Sequence, residues 1–249
     1  MDRTAPKALI VGATWGIGRA TALELANRGS DVALAFASNR DAAETVAAEL
    51  TPSSARVLIQ CDVARNGIDV VNQAAEGLGG LDMVVVTTAP VINGSIDLVT
   101  SDEARRAFDV LVHGFRELAV AARPYMAERG GSIVAVSSLG SERTSPLYGA
   151  IGPANAALEA TVRYLAVALG PDGIRVNAIA PLLVDETSQH QEGDELSPLM
   201  AAVAKKTPFR HEIPTSSGIA RTIAALLSDD MRLVTGQVLK LDGGYSMGL

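Results

Sequence analysis

The run Gly12-Ala13-Thr14-Trp15-Gly16-Ile17-Gly18 follows a short apolar stretch and leads straight into an amphipathic one. Glycines so placed let a chain turn tightly and bring its backbone close to a ligand, and the free N–H groups that open the next helix suit a pyrophosphate. The spacing is G-x-x-x-G-x-G, so the strand–turn–helix context carries this reading as much as the glycines do. Gly12, Thr14, Gly16, Ile17 and Gly18 are the expected contacts to the phosphates of a dinucleotide. A second set of residues ends the next apolar run, Ala35-Phe36-Ala37-Ser38-Asn39-Arg40. An acidic side chain there would hold a ribose 2′-hydroxyl, whereas a basic one accommodates a 2′-phosphate. No carboxylate comes before Asp41, so Ser38, Asn39 and Arg40 are expected to favour NADP(H).

Positioning such a site takes strands that all end on one edge. Strands are expected at 7–11, 31–37, 55–63, 81–89, 132–138, 173–180 and 237–241, several of them continuous apolar runs of the kind buried on both faces. Helices are expected near 17–28, 40–50, 66–78, 102–128, 152–169 and 216–227, with Gly29 as a left-handed stop after the first. This alternation implies an α/β fold: a single-domain, Rossmann-type, doubly wound parallel sheet over 1–249 with helices on both faces. The irregular stretch 181–214, rich in Asp, Glu, Ser, Gln and Pro, reads as a substrate lid.

Composition narrows the classes. The 249 residues are 48% hydrophobic, enough for a sheet covered on both sides. A net charge of −7 argues against nucleic acid as a main partner. Cys61 is the single cysteine, so no internal disulfide can form, and it reads as a buried strand residue. The first seven residues do not read as a signal peptide, and no apolar run approaches the roughly 18 residues that span a bilayer. A cytoplasmic protein is expected. His113, His190 and His211 show no ligand-like spacing, and no metal site is expected.

The Gly-rich turn at 12–18, Cys61-Asp62-Val63 closing the third strand, Ser137-Ser138, Val176-Asn177-Ala178-Ile179-Ala180-Pro181, and Gly236 with Leu241-Asp242-Gly243-Gly244 occur in a fixed order. In that order they resemble the short-chain dehydrogenase/reductase family over nearly the whole chain. The resemblance implies that Asp62 and Val63 contact adenine and that Thr88, Asn155 and Pro181 lie along the cofactor. It also implies a homotetramer, through the tail 236–249 and the helices 102–128 and 152–169. Trp15 departs from the basic residue that many NADP-using relatives carry at its position.

The family's catalytic set is an Asn, a Ser, a Tyr and a Lys. Ser138 matches the serine whose hydroxyl meets the substrate oxygen. Leu111 stands at the Asn position, and Ile151 stands where the common Tyr-x-x-x-Lys would place its tyrosine. Tyr148 and Asn155 instead have the Tyr-x6-Lys spacing of enoyl-acyl carrier protein reductases, with Asn155 in place of the lysine. The segments 137–141, 151–152, 156–159 and 163–166 resemble the enoyl reductase III branch most. In such enzymes the lysine holds the nicotinamide ribose and acidifies the tyrosine; an asparagine keeps a hydrogen bond and loses the charge. Reduction of an enoyl or keto acyl thioester needs only a protonated phenol to stabilise the developing oxyanion, and so survives that loss best.

Further departures bear on the cofactor. Thr87-Thr88-Ala89-Pro90 replaces Asn-Asn-Ala-Gly, Pro181-Leu182 replaces Pro-Gly, and Glu186 precedes Thr187 where relatives carry a threonine. Leu111, Ile151 and Asn155 leave two other readings open: a catalytically silent binding subunit, and a non-redox cyclase or isomerase. Arg105, Arg106, Arg116, Arg123, Arg129 and Lys205-Lys206 read as a solvated helix face, with an acidic carrier protein as the other reading.

Overall fold

Side chains alternate across a strand, and here both sides of the alternation are apolar. In β1 (Lys7–Val11), Leu9 and Val11 enter one core while Ala8 and Ile10 enter the other. Such a strand is stable only with helices on both faces, and the computed structural model, which describes residues 5–51, 54, 56–182, 184 and 198–248, has that arrangement. The strands β2 (Asp31–Phe36), β3 (Arg56–Gln60), β4 (Met83–Val86), β5 (Gly131–Val136), β6 (Ile174–Pro181) and β7 (Val238–Leu241) join β1 in one parallel sheet. Their order is β3-β2-β1-β4-β5-β6-β7.

The helices are α1 (Gly16–Asn27), α2 (Arg40–Glu49), α3 (Val63–Leu78), α4 (Ser101–Phe108), α5 (Phe115–Met126), α6 (Ile151–Leu169), α7 (Pro198–Lys206) and α8 (Ser216–Leu227). One core lies between the sheet and α3, α5 and α6, the other between the sheet and α1, α2 and α8. The doubly wound fold expected from the sequence is the fold observed. Gly29 stops the first helical segment at φ +87°, as expected.

Several boundaries differ from expectation, the strand expected at 81–89 being only Met83–Val86, and three further differences bear on the site. The third strand ends at Gln60, and Asp62 caps α3 by accepting from the Ala64 N–H at 3.2 Å, so Val63 opens a helix instead of closing a strand. The long helix expected at 102–128 is α4 and α5 joined by a π-helical turn, Asp109–Gly114, which contains Leu111. Within the expected lid, α7 forms a helix that the polar composition hid, while residues 183 and 185–197, with His190, Glu186 and Thr187, lie outside the described residues. No helix among the described residues is long and apolar enough to cross a membrane.

Candidate active site

Because the strands are parallel, the residues that follow them gather on one edge. Gly12 follows β1, Ser38 follows β2, Asp62 follows β3, Thr88 follows β4, Ser138 follows β5, and Pro181 ends β6. The strand order reverses between β1 and β4, the place where open α/β sheets hold their ligands.

The Gly-rich turn is built by close backbone approach. A Cβ on Gly18 would lie 2.0 Å from the Gly12 carbonyl oxygen. Gly12 has φ +92°, and a Cβ there would meet Thr87 Oγ1 at 2.7 Å. Thr87 closes the turn, its hydroxyl donating to the carbonyls of Val11 (3.0 Å) and Gly12 (3.1 Å). Thr87 stands where the family has an amide, and its hydroxyl clasps the cradle. The N-cap of α1, Trp15, is extended and makes no side-chain cap, which leaves the helix's opening N–H groups free for an anion. Nothing lies within 4 Å of the Cβ position of Gly16, so the front of the turn is open. Thr14 and Ile17 are half-buried beside it, and the Thr88 hydroxyl is buried with no hydrogen-bond partner among the described residues. An uncapped helix start, an open face and an orphaned hydroxyl fit a dinucleotide.

At the β2 exit, Ser38, Asn39 and Arg40 are exposed. Asn39 Oδ1 caps α2 by accepting from the Ala42 N–H at 3.0 Å, which leaves its NH2 group to face outward. The Arg40 guanidinium sits 5.5 Å over the Phe36 ring and 3.8 Å from the Glu44 carboxylate. At the β3 exit the Val63 side chain is packed in the core, so its backbone is what it can offer a ligand. Asp62 is held by two hydrogen bonds from Arg106, at 3.1 and 3.2 Å. Burial works against the Asp62 carboxylate, but the hydrogen bonds of Arg106 and Ala64 and the charges of Arg106 and Arg65 hold its pKa below the ordinary value. Cys61 is buried, and that burial, with the neighbouring Asp62 charge, raises its thiol pKa to about 11, an inert thiol.

Ser138 and Tyr148 meet across Gly140. A Cβ on Gly140 would lie 2.7 Å from the Tyr148 ring and 3.5 Å from Ser138 Oγ, so the missing side chain lets the phenol ring lie beside the serine. Ser138 Oγ accepts from the Gly140 N–H at 3.2 Å. On α6, Gly152 packs against the same residue, its Cβ position 2.9 Å from the Gly140 oxygen. Tyr148 itself precedes α6, whose Gly152 N–H donates to its carbonyl at 2.8 Å, and the residues on either side of it are also held from the segment after β4. The Gly94 N–H donates to the Leu147 carbonyl and the Gly149 N–H to the Gly94 carbonyl, at 3.0 and 2.9 Å. Leu111 and Ile151, the two apolar departures, join Ala107, Ala150 and Ala154 in one cluster against which Tyr148 packs. They form the wall behind the phenol. Asn155 is 3% exposed, and its Oδ1 is buried with no hydrogen-bond partner among the described residues. One turn further along α6, the buried Glu159 accepts from Ser137 Oγ at 2.6 Å and ties the helix to the end of β5.

Four of the basic residues singled out in the sequence are paired with carboxylates. Arg105, Arg106, Arg123 and Arg129 face Asp102, Asp62, Asp172 and Asp82. Sequence reasoning also gave no role to Asn177, which is buried and spans β6 and the approach to β7 by donating to the Val234 carbonyl and accepting from the Gln237 N–H. Its place in the Val176–Pro181 segment was the available signal.

Comparison with known proteins agrees with this geometry. Residues 12–246 match the family model described as enoyl-(acyl carrier protein) reductase. A 1-cyclohexenylcarbonyl-CoA reductase of Streptomyces collinus is 36% identical, the match covering 96% of this chain and 86% of that protein. The enoyl-[acyl-carrier-protein] reductase [NADH] FabI of Neisseria meningitidis is 35% identical over 81% of this chain and 78% of its own length. A short-chain dehydrogenase of Burkholderia cenocepacia, solved in complex with NADP, superposes with a TM-score of 0.87 at 27% identity, covering 97% of this chain and 98% of its own. The chain belongs to the short-chain dehydrogenase/reductase family. Within that family its relatives include reductases of enoyl thioesters, and the family binds nicotinamide cofactors.

Proposed function

We propose that the protein is a cytoplasmic, NADPH-dependent reductase of an enoyl or keto acyl thioester, in fatty-acid or polyketide-type metabolism, with the acyl group on coenzyme A or a carrier protein. The observation that carries this reading is the meeting of Ser138 and Tyr148 over Gly140, on the edge that also bears the phosphate cradle. When bound, the dihydronicotinamide supplies the hydride. The chain's own task is to hold the thioester carbonyl so that the Ser138 hydroxyl and the Tyr148 phenol donate to its oxygen as negative charge develops there. The apolar wall of Leu111, Ile151 and Ala154 behind the ring keeps water away from one side of the phenol. Asn155 would take only the ribose-holding part of a lysine's role. A silent or non-redox member is the second reading, favoured by the enclosed Asn155 Oδ1, which has no partner among the described residues. Fluorescence titration with NADPH, followed by its consumption in the presence of crotonyl thioester, decides between them. No binding overturns the reductase reading.

NADPH is expected to bind more tightly than NADH, because Ser38, Asn39 and Arg40 offer donors and a positive charge to a 2′-phosphate. Arg40→Ala should narrow the preference by about tenfold, the size of one charge-assisted hydrogen bond of ~1.5 kcal/mol. Equal affinities in the unmodified protein would sink the NADPH assignment. A homotetramer is expected as well. Tyr164 and Val167, 81% and 79% exposed, lie on one face of α6 with Val120 of α5 also exposed, while Leu239 and Met247 are exposed at the β7 edge and the tail. Light scattering that gives a monomer at micromolar concentration would contradict it.

A further inference from the structure

The carboxylate of Asp62 is nearly saturated. Oδ1 accepts from the Ala64 N–H and from one Arg106 nitrogen, and Oδ2 accepts from the other Arg106 nitrogen. A carboxylate has about four acceptor sites, so one remains open, on Oδ2. Arg65 approaches that oxygen only to 3.7 Å and is largely exposed. The planar fork of Arg106 also fixes the plane of the carboxylate, which an aspartate with one backbone bond would be free to rotate. Arg106 stands on α4, in the segment that leaves β4, whereas Asp62 leaves β3. The pair therefore ties the exit of β3 to the segment that leaves β4.

We propose that Arg106 is a specificity-determining residue for the cofactor's base: by filling and orienting Asp62 it leaves a single acceptor, which takes the 6-amino group of adenine and rejects a 6-oxo purine. This rests on the reading that a nicotinamide dinucleotide binds with its base at Asp62. Adenine offers a hydrogen to the open oxygen. Hypoxanthine, with a carbonyl at the same position, sets acceptor against acceptor. Without Arg106 the carboxylate has three open sites and can turn, so it can find the N1–H of hypoxanthine, and the discrimination falls.

The test is binding, read by fluorescence, of NADPH and of its hypoxanthine analogue to the full-length protein. The unmodified protein should prefer the adenine cofactor at least tenfold, a step expected when a charged acceptor loses its donor (~1.5 kcal/mol or more). In Arg106→Leu the ratio should fall to about twofold. Arg106→Lys, which keeps the charge without the fork, should lose most of it too, and it carries the test if the leucine variant does not fold. A purely structural role for the ion pair would weaken both ligands alike and leave the ratio unmoved. A ratio unchanged in both variants, or a ratio near one in the unmodified protein, overturns the proposal while the reductase reading stands. If the unmodified protein binds neither dinucleotide, both fall together.

Discussion

Tyr148→Phe is expected to abolish reduction of a crotonyl thioester, and Asn155→Lys is expected to raise it. The phenol is the group that the fold brings beside Ser138, with Gly140 leaving room for it. No other tyrosine shares that place, so its removal takes away the donor that meets the developing oxyanion. Asn155, buried on α6, carries no charge. A lysine ammonium about 5 Å from the oxyanion at an effective dielectric near 20 would contribute roughly 3 kcal/mol, or about a hundredfold in rate. That figure is an upper bound, since part of the gain reaches the bound ground state as well. The lysine must also leave the enclosed position that the asparagine occupies, and a melting curve on the variant checks that it does so without unfolding. Wild-type activity that survives Tyr148→Phe unchanged, or an Asn155→Lys variant inert to enoyl and keto thioesters alike, would move the assignment to a binding or non-redox role.

Gly18→Ala is expected to abolish dinucleotide binding and to destabilise the protein. The added Cβ would sit 2.0 Å from the Gly12 carbonyl oxygen, an overlap with backbone that no side-chain movement relieves. Forcing the turn open costs about 3 kcal/mol, which in a chain of this length lowers Tm by roughly 6–12 °C. It also breaks the clasp of Thr87 on Gly12. Gly16→Ala is the contrast: no atom lies within 4 Å of its Cβ position, and its cost is the positive φ of +54° alone, about 1 kcal/mol. Calorimetry on the pair, with and without NADPH, separates the two. A Gly18→Ala protein that melts and binds like the parent would mean the turn is not built as described.

The sheet could be read from the chain because each strand is a short apolar run closed by a breaker. Alternating strands and helices leave few topologies open. The Gly-rich turn was legible for the same reason, its glycines falling between β1 and α1. What stayed hidden depends on contacts between residues far apart. Thr87 shows in the sequence only as a replacement for an amide, and the folded chain is needed to see its hydroxyl reach the carbonyls of Val11 and Gly12. Leu111 and Ile151 read as two separate losses, and only the folded chain puts them in one cluster with Tyr148. The π-helical turn at Asp109–Gly114 gave no signal, because one extra residue in a helical ladder leaves the apolar pattern nearly unchanged. Asp62 was legible in part: aspartate is a strong N-cap, and weighing that would have moved the end of the third strand back. Its partner Arg106, 44 positions further along the chain, was not.

The bridge between Gly94 and Tyr148 has a consequence for how such a chain can change over generations. The residues flanking the phenol are moored to the segment after β4, the Tyr148 carbonyl is held by Gly152 of α6, and Asn155 rides further along that helix. Tyr148 thus has a second support besides the helix that carries Asn155. A lineage can exchange the residue at 155, losing or regaining a charge, while that second support still holds the phenol. Its chemistry can drift between silent and active forms by single steps, each on an intact scaffold.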